Sequence, residues 1–302
     1  MTVCPTQLTF DFHPRKDIVA DFNGGLISSD AGLLPIRQLD QRLGYTAAVA
    51  DILEDNRQAA KVGHNLLPLI RQGLFGLIAG YEDANDHTRL RHDPILQSVA
   101  DRDGQALASQ PTISRFENAV TARQVAEINR LLVKMFLQRM GTQKPKRLIL
   151  DRDPTDDPCH GQQQLALFNG FYGQYMYLPN LVFERTTGML LGLRLRRGNA
   201  DPAHRVAQLL MPIIKALRNK WPDVEIVIRA DAGFAVPRLY RFCERHNLQY
   251  LIGFPGTKLM KKRTDWALQW LSQRFERSGE PCKWLGGFGH QSAKWNRRRR
   301  IL

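Results

Sequence analysis

Lys146-Arg-Leu-Ile-Leu-Asp-Arg-Asp153 is the stretch on which the predicted fold depends. Its apolar residues are typical of a β-strand, and Pro154-Thr-Asp-Asp157 follows it directly. Because side chains alternate along a strand, Asp151 and Asp153 should lie on one face at its carboxyl end, where their oxygens can bind hard divalent cations. Clustered carboxylates are costly without a cation, so the segment predicts a metal site. The alternative is that Asp156 and Asp157 cap a turn and that only one of the strand's two aspartates is functional.

The elements that follow this strand predict the fold class. They are two strands, a helix, a strand, a helix and a strand, at 179–184, 189–195, 206–217, 224–230, 236–246 and 249–253. The first three strands of the series should form an antiparallel meander. This succession is the one that ribonuclease H-like folds use. We therefore expect an α/β fold whose ribonuclease H-like core, incomplete in this chain, occupies 146–257.

A further carboxylate follows the fourth strand. In Arg229-Ala-Asp-Ala-Gly-Phe234, Asp231 comes directly after the apolar run. Open α/β sheets place their sites at the carboxyl ends of strands, although an equally good interpretation is that Asp231 caps the next helix. If the first and fourth strands are neighbours, Asp153 and Asp231 face each other, as two-metal phosphoryl chemistry requires.

The segment 1–145 is predicted to be a mainly helical domain after a short extended start. Apolar residues recur at helical spacing at 66–78 and at 125–136. Between these helices, residues 110–117 predict a short helix that would expose Ser114 and Arg115 to DNA, as a helix-turn-helix does. The alternative, which we favour, is an ordinary capped core helix. Acids and histidines at 83–93 likewise fit helix caps better than a metal cluster.

The composition indicates a nucleic-acid partner. The chain of 302 residues has 43 Lys and Arg against 29 Asp and Glu, a net charge of +14, and such a surplus favours a polyanionic partner. Residues 258–302 hold 12 of the basic residues against three acids, together with four of the five tryptophans. With 43% hydrophobic residues the chain can form a core, which excludes disordered tail proteins and disulfide-stapled miniproteins.

Other features predict a cytoplasmic location. The first residues lack the apolar region of a secretory signal, and the most apolar stretch, 66–80, is too short to cross a bilayer. Cys4, Cys159, Cys243 and Cys282 are too far apart to form a zinc or redox pair. We therefore expect reduced thiols.

Several short segments, taken together and in chain order, carry a more specific signal than any one of them. They are Asp21-Phe-Asn-Gly-Gly25, Ser28-Ser-Asp-Ala-Gly32, Gly80-Tyr-Glu-Asp-Ala-Asn-Asp-His87, Pro111-Thr-Ile-Ser-Arg-Phe-Glu117, Asp151-Arg-Asp-Pro-Thr-Asp-Asp157, His160-Gly-Gln-Gln-Gln164 and Arg229-Ala-Asp-Ala-Gly-Phe234. This set resembles the transposases of bacterial insertion sequences that use an Asp-Asp-Glu (DDE) triad.

The resemblance implies two of the three catalytic acids. Asp153, with Asp151 as a second candidate, corresponds to the family's first acid, and Asp231 corresponds to the second. In the family these acids bind two Mg²⁺ ions, for which Mn²⁺ can substitute, and the enzyme cuts the ends of its element and joins them to target DNA. The implied partners are terminal inverted repeats, target DNA and further copies of the chain as a homo-oligomer on the DNA ends.

Arg152 departs from the family pattern, which usually has an apolar residue between the two aspartates. On a central strand this side chain would point into the core. We therefore expect the first strand to be distorted or weakened.

The family's third acid has no counterpart in the sequence. Its pattern Tyr-x-x-Arg-x-x-x-Glu does not occur after Asp231, and Glu244, Glu276 and Glu280 fall at the wrong places in the fold. We therefore expect a chain truncated within a basic, Trp-rich insertion domain that begins at 258. The alternative functions are a DNA-binding remnant that does not cut and, less in keeping with the segments above, a structure-specific nuclease.

The remaining candidates are DNA contacts. His160 and the glutamines after it would steer DNA or order a loop. Arg297, Arg298, Arg299 and Arg300 would bind phosphates, or lie disordered as an unpaired strand. The tryptophans of 258–302 would stack on bases or, as we favour, form the core of the insertion domain.

Overall fold

The computed structural model describes residues 7–10, 18–21, 27–55, 57–58, 60, 62–161, 163–201 and 203–302. The chain divides into two compact units, Met1–Ile128 and Asn129–Leu302. Cys4, residues 22–25 and Gln162 lie outside the described residues. The domain boundaries at 145 and 257 stay a prediction. Across these described ranges, no helix is both long enough and apolar enough to cross a membrane.

The first unit is mainly helical, as the sequence predicts. It begins with an antiparallel hairpin of β1 (Gln7–Phe10) and β2 (Ile18–Asp21). Its described helices are α1 (Leu33–Leu43), α2 (Tyr45–Ile52), α3 (Leu66–Ile78), α4 (His87–Leu90), α5 (Pro94–Val99), α6 (Gln110–Ala119) and the first part of α7 (Ala122–Met140). Phe75, Leu96 and Leu107 are buried at the centre of its core.

The apolar spacing that predicts α3 does not identify its whole buried face. Leu69 is buried, but Leu77 and Ile78 are 57% and 47% exposed, while Arg71 and Gln72 are buried. Gln72 is buried because its amide clamps the backbone of Ala108: Nε2 donates to the carbonyl at 2.8 Å and Oε1 accepts from the N–H at 2.9 Å. Hydrogen bonding therefore turns this polar residue inward, which hydrophobic periodicity cannot predict.

The second unit is an α/β structure. Its strands are β3 (Arg147–Pro154), β4 (Asp157–Pro158), β5 (Leu167–Asn169), β6 (Gln174–Tyr177), β7 (Asn180–Glu184), β8 (Leu190–Arg194), β9 (Glu225–Ala230), β10 (Gln249–Ile252), β11 (Phe288–His290) and β12 (Arg299–Ile301), and its further helices are α8 (Val206–Lys220), α9 (Pro237–Arg245) and α10 (Lys258–Ser278).

The central sheet has the strand order β10-β9-β3-β7-β8. β3 is parallel to β9, and β9 is parallel to β10, whereas β7 is antiparallel to both β3 and β8. This order with one reversed strand is that of the ribonuclease H-like fold, which confirms the predicted fold class. Leu148 and Leu150 of β3 are buried in one core cluster with Leu210 of α8 and Phe136 of α7.

A small sheet lies between β3 and β7 in the sequence, and the sequence analysis does not predict it. Its order is β4-β6-β5, and all its pairs are antiparallel. These strands have only two to four residues, too few for an alternating pattern to be recognised.

The last part of the unit consists of α10 and a hairpin of β11 and β12. Phe288–His290 pairs antiparallel with Arg299–Ile301. The arginine run therefore enters a paired strand, and the alternative of an unpaired terminal strand is wrong.

Candidate active site

Neighbouring parallel strands bring Asp153 and Asp231 to the same edge of the central sheet. In the pairing of β3 with β9, Asp151 lies opposite Arg229. Asp153 and Asp231 each come two residues later, so the register places both carboxylates at the carboxyl ends of adjacent strands. This is the arrangement that the sequence-based hypothesis requires.

Asp151 is engaged by Arg229 of the neighbouring strand. Arg229 donates to both carboxylate oxygens, from Nε to Oδ1 at 2.6 Å and from Nη2 to Oδ2. Arg185 adds an ion pair of 3.9 Å between its Nη1 and Oδ2. A carboxylate held by a bidentate guanidinium has little capacity left for a metal ion. Of the two candidates for the first acid, the contacts favour Asp153.

The sequence analysis did not assign a role to Arg229. A signal was present, because Arg229 stands two residues before Asp231, as Asp151 stands two residues before Asp153. On paired parallel strands, equal spacing places the first member of each pair side by side.

Asp231 ends its strand and also caps the turn that follows. Its Oδ1 accepts a hydrogen bond of 2.9 Å from the Gly233 N–H, at the start of the 3-10 turn Ala232–Phe234. Phe234 is buried in the core. Gly253 approaches the same turn so closely that a Cβ there would lie 2.8 Å from the Ala232 nitrogen. Capping and site function are compatible, because the cap fixes one oxygen and thereby orients the other.

Arg152 lies between the two aspartates of β3 and points to the opposite face. It is 2% exposed. Its Nε donates to Asn180 Oδ1 at 3.1 Å, and the guanidinium lies 4.4 Å from the centre of the Phe234 ring. Nη1 and Nη2 have no hydrogen-bond partner among the described residues. Burial, with the charge of Arg196, lowers the pKa of Arg152 to about 9.

The expected distortion of β3 is wrong. The strand pairs with β9 over Arg147 to Arg152 and with β7 over Leu150 to Pro154 without a register shift. The irregularity lies between Val182 and Phe183, in the pairing of β7 with β8. Because the long Arg152 side chain follows the ordinary alternation of the strand, its cost falls on desolvation and not on backbone geometry.

The electrostatics at this edge suit a divalent cation. Partial burial raises the pKa of Asp153, and the charges of Asp231 and Asp151 raise it further. A cation would relieve this repulsion. Mg²⁺ is commonly held by one or two carboxylates, with water and substrate phosphates completing its shell, so the oxygen donors of Asp153 and Asp231 fit such an ion. Within the described part of the chain, no three or more His, Cys, Asp or Glu side chains form a metal-binding group.

Glu244 does not serve as a third acid at this edge, because its carboxylate is bound elsewhere. It accepts hydrogen bonds from Arg299 Nε at 2.9 Å, Arg299 Nη2 at 3.1 Å and the Tyr250 hydroxyl at 3.0 Å, and it forms an ion pair of 3.0 Å with Arg297. Burial alone would raise the pKa of Glu244, but these hydrogen bonds hold it below its usual range. Glu276 and Glu280 are exposed, in α10 and just after it.

The sequence as a whole matches one protein family. The model of the family described as "Transposase DDE domain group 1" matches residues 10–302. The chain belongs to this transposase family. This confirms the resemblance drawn from the short segments, and with it the expectation of a ribonuclease H-like core behind a helical N-terminal region. No curated protein sequence matches the chain.

Solved structures similar to this family member are distant from it. The HTLV-2 integrase catalytic core domain in complex with magnesium is 13% identical, with a TM-score of 0.23, and covers 46% of this chain and 78% of its own. The piggyBac transposase synaptic complex with hairpin DNA is 11% identical, with a TM-score of 0.36; the match covers 74% of this chain and 49% of that one. The Mos1 transposase paired-end complex with left transposon end is 13% identical, with a TM-score of 0.24, covering 78% and 80%. These TM-scores are too low to carry an argument about function.

The candidate DNA contacts of the first unit lie on α6. Ile113 is buried beneath this helix, as the core-helix interpretation expects, whereas Arg115 is exposed. Ser114 is half-buried, and its carbonyl and hydroxyl oxygens accept hydrogen bonds from Asn118 Nδ2. Ten residues, 100–109, separate α5 from α6, more than the three or four of a helix-turn-helix turn.

The arginine run of the second unit is divided between two roles. Arg299 is buried, with its guanidinium between the rings of Tyr240 at 5.0 Å and Trp295 at 5.2 Å, and it pairs with Glu244. Its side chain is therefore not available to phosphates. The other members line a cavity of about 720 Å³ beside β10, together with Arg229. This lining set is Arg297, Arg298 and Arg300.

The other sequence candidates have simpler structural positions. His160 is exposed between β4 and β5. Trp295 is buried against Tyr240 and Phe254, whereas Trp266, Trp270 and Trp284 are 43–58% exposed.

The cap interpretation of 83–93 is confirmed. Asp83 accepts from the Asn85 N–H, and Asp93 accepts from the Leu96 N–H, each at 2.8 Å. Both side chains therefore serve the start of a helical turn.

Proposed function

We propose that this chain is the DNA-cutting and DNA-joining enzyme of an insertion sequence, and that Asp153 and Asp231 are its first and second catalytic acids. The observation that carries the proposal is that these two carboxylates end adjacent parallel strands, while Asp151 is neutralised by Arg229. Membership in the DDE transposase family supports the reaction class.

In this proposal each acid has a defined task. Asp153 and Asp231 hold divalent cations, Mg²⁺ or Mn²⁺, which when bound polarise a phosphate and lower the pKa of the attacking hydroxyl. The cap on Gly233 fixes the orientation of Asp231, and the Arg229 pair keeps Asp151 from competing for the ion. Asp153 has the weaker hold on its proton balance, because burial and two neighbouring charges favour its neutral form; an approaching cation favours the ionised form.

The proposed DNA partners are the terminal repeats of the element and a target duplex, bound by a homo-oligomer. The exposed Arg115 of the first unit, together with Ser114, is one candidate contact. His160 and the lining set of Arg297, Arg298 and Arg300 are the others, whereas Arg299 is withdrawn from the proposal because it is buried against Glu244. Each phosphate contact that is lost should reduce the slope of log K against log salt by about 0.9.

Metal titration tests the site without requiring turnover. Isothermal titration with Mn²⁺ should show binding to the wild-type chain that is lost in Asp153→Asn and in Asp231→Asn. Asp157→Asn is the matched control, since Asp157 is an exposed aspartate on β4, and it should bind as the wild type does. Unchanged Mn²⁺ binding in Asp153→Asn would contradict the assignment.

A second candidate function is a DNA-binding relative that does not cut. It is favoured by one observation, the lack of a third acid beside Asp153 and Asp231 among the described residues. A strand-cleavage assay on DNA that carries the element's ends, with Mn²⁺ present, distinguishes the two. Cutting that is lost in Asp231→Asn supports the enzyme, whereas metal binding and DNA binding without cutting support the second candidate. The expectation that the third Glu lies beyond residue 302 stays a prediction.

A further inference from the structure

The small sheet between β3 and β7 carries an unusual group of exposed rings. We name residues 167–177, which comprise β5, β6 and the turn between them, the aromatic hairpin. Phe171 is 90% exposed, Tyr175 61%, Phe168 53% and Tyr172 37%. Phe168 stacks edge-on against Tyr175 at 5.5 Å, and Phe171 against Tyr172 at 5.0 Å. Four large rings exposed on one hairpin form a surface that favours a flat, apolar partner.

The turn of the aromatic hairpin is firmly built. Asn169 Oδ1 accepts from the N–H groups of Phe171 at 3.0 Å and Tyr172 at 3.4 Å, and the Asn169 carbonyl accepts from the Gly173 N–H at 2.8 Å. Gly173 has a φ of +69°, a conformation that favours glycine. Phe171 is therefore exposed by a hydrogen-bonded turn that directs it outward.

The base of the hairpin is seated equally closely. Asn169 Nδ2 donates to the Gly198 carbonyl at 2.7 Å. A Cβ at Gly198 would collide with the backbone carbonyls of Leu167 and Met176, so only glycine permits this approach. Met176 is fully buried. These contacts fix the hairpin relative to the segment that follows β8.

The aromatic hairpin also lies beside the proposed catalytic acids. It grows from the carboxyl end of β3, and Gln174 Nε2 donates to Asp156 Oδ2 at 2.9 Å, three residues after Asp153. The tip is electrostatically coupled to the site: partial burial, and then the charges of Asp156, Asp153 and Asp231, raise the pKa of Tyr172.

We propose that the aromatic hairpin binds an unpaired nucleobase of the DNA strand whose phosphate lies at Asp153 and Asp231. This inference rests on the proposed function for the position of the phosphate. A nucleotide held at these acids has its base within reach of the hairpin, and a phenyl ring with 90% of its surface exposed can stack on a base only if that base has left the duplex. Stacking requires no hydrogen bonds to base edges, so the site accepts any of the four bases.

Fluorescence of 2-aminopurine tests this inference. The probes are a blunt duplex and the same duplex with a single-stranded 3′ extension that contains one 2-aminopurine, both measured without metal. The wild-type chain should quench the 2-aminopurine and bind the extended duplex more tightly than the blunt one by roughly 5-fold to 100-fold, the range for stacking one base on an aromatic ring. Phe171→Ala should lose the quenching and the preference.

Phe171→Ala is suited to this test because its ring makes few contacts, and an unchanged thermal midpoint would verify that the variant folds. Phe275→Ala, which removes a ring that is 51% exposed on α10, is the matched control and should keep both effects. Quenching that persists in Phe171→Ala, or a wild-type chain that does not distinguish the two duplexes, would overturn the inference.

The inference and the proposed function can fail separately. Asp153→Asn should keep the quenching, since stacking needs no metal, and should lose the binding of Mn²⁺. Loss of quenching in Phe171→Ala while Mn²⁺ fails to bind the wild type would retain the hairpin as a base-binding site and reject the metal site. The reverse pattern would reject the hairpin alone.

Discussion

Replacing Arg152 with methionine should stabilise the second unit. The wild-type guanidinium is 2% exposed, and two of its nitrogens lack hydrogen-bond partners in the described structure. Burial, with the charge of Arg196, lowers the pKa of Arg152 to about 9, from an ordinary value above 12. At about 1.4 kcal/mol per pKa unit, holding the charged form in this place costs roughly 4–5 kcal/mol.

Two favourable contacts offset part of this cost. The hydrogen bond to Asn180 contributes about 1–1.5 kcal/mol, and the contact with the Phe234 ring contributes about 1 kcal/mol. Methionine fills a similar length with a flexible apolar chain but leaves the Asn180 oxygen without its donor. The expected net gain for Arg152→Met is about 1–3 kcal/mol, or a rise of roughly 2–4 °C in midpoint for each kcal/mol.

Urea unfolding followed by tryptophan fluorescence measures this gain. All five tryptophans lie in the second unit, and Trp221 is buried in its core, so the signal reports on that unit. Asn180→Leu is the matched control. It leaves the guanidinium without its hydrogen bond and should destabilise the unit by about 1–3 kcal/mol, whereas the double variant should recover the loss.

The sign of the effect decides this prediction. If Arg152→Met lowers the free energy of unfolding by more than about 1 kcal/mol, the favourable contacts of the guanidinium outweigh its desolvation, and the reasoning from buried charge is refuted.

The remaining predictions concern three other places in the molecule. His87 is buried, its Nδ1 lies 3.2 Å from Gln72 Nε2, and burial lowers its pKa; because only the unfolded chain then takes up the proton, stability should fall as pH drops below about 6.5, by up to about 1.4 kcal/mol per pH unit. His87→Leu should remove this contribution, measured by hydrogen exchange in α3, and an unchanged pH slope would contradict it. Glu244→Gln should leave the Arg299 cation without its counter-charge and destabilise the β11–β12 hairpin by about 3–5 kcal/mol if the site stays buried, with a red shift of Trp295 emission; no shift would count against the role of this ion pair. Gly253→Ala should displace the turn that carries Asp231, since its Cβ would lie 2.8 Å from a backbone nitrogen, and should weaken Mn²⁺ binding at least tenfold by calorimetry; wild-type affinity would show that the turn can move without affecting the site.

The strands of the central sheet could be predicted from the sequence because each is an apolar run with its own flanking turns. Arg147–Pro154 and Gln249–Ile252 lie within a residue or two of their expected bounds. The same local signals predicted α3 and α7. Burial on each face was harder to predict, since Gln72 is turned inward by a hydrogen bond to a residue 36 positions away.

The aspartates at the ends of β3 and β9 were likewise evident as residues, but their relationship was not. The sequence leaves Asp151 and Asp153 as alternatives for the first acid. Only the parallel register of β3 and β9 sets Arg229 against Asp151, and this pair favours Asp153. A pairing between residues 78 positions apart depends on which strands are neighbours, and no local pattern encodes that.

The arginine run shows the same division. Four consecutive arginines indicate phosphate binding by charge alone, yet the fold buries Arg299 between two rings and against Glu244. The sequence by itself determined the family, the order of the strands and the acids that end them, because these follow from local chemistry and spacing. Tertiary structure alone decided which acid is neutralised, which arginine is buried and which aromatic rings surround the site, because each of these depends on contacts between distant segments.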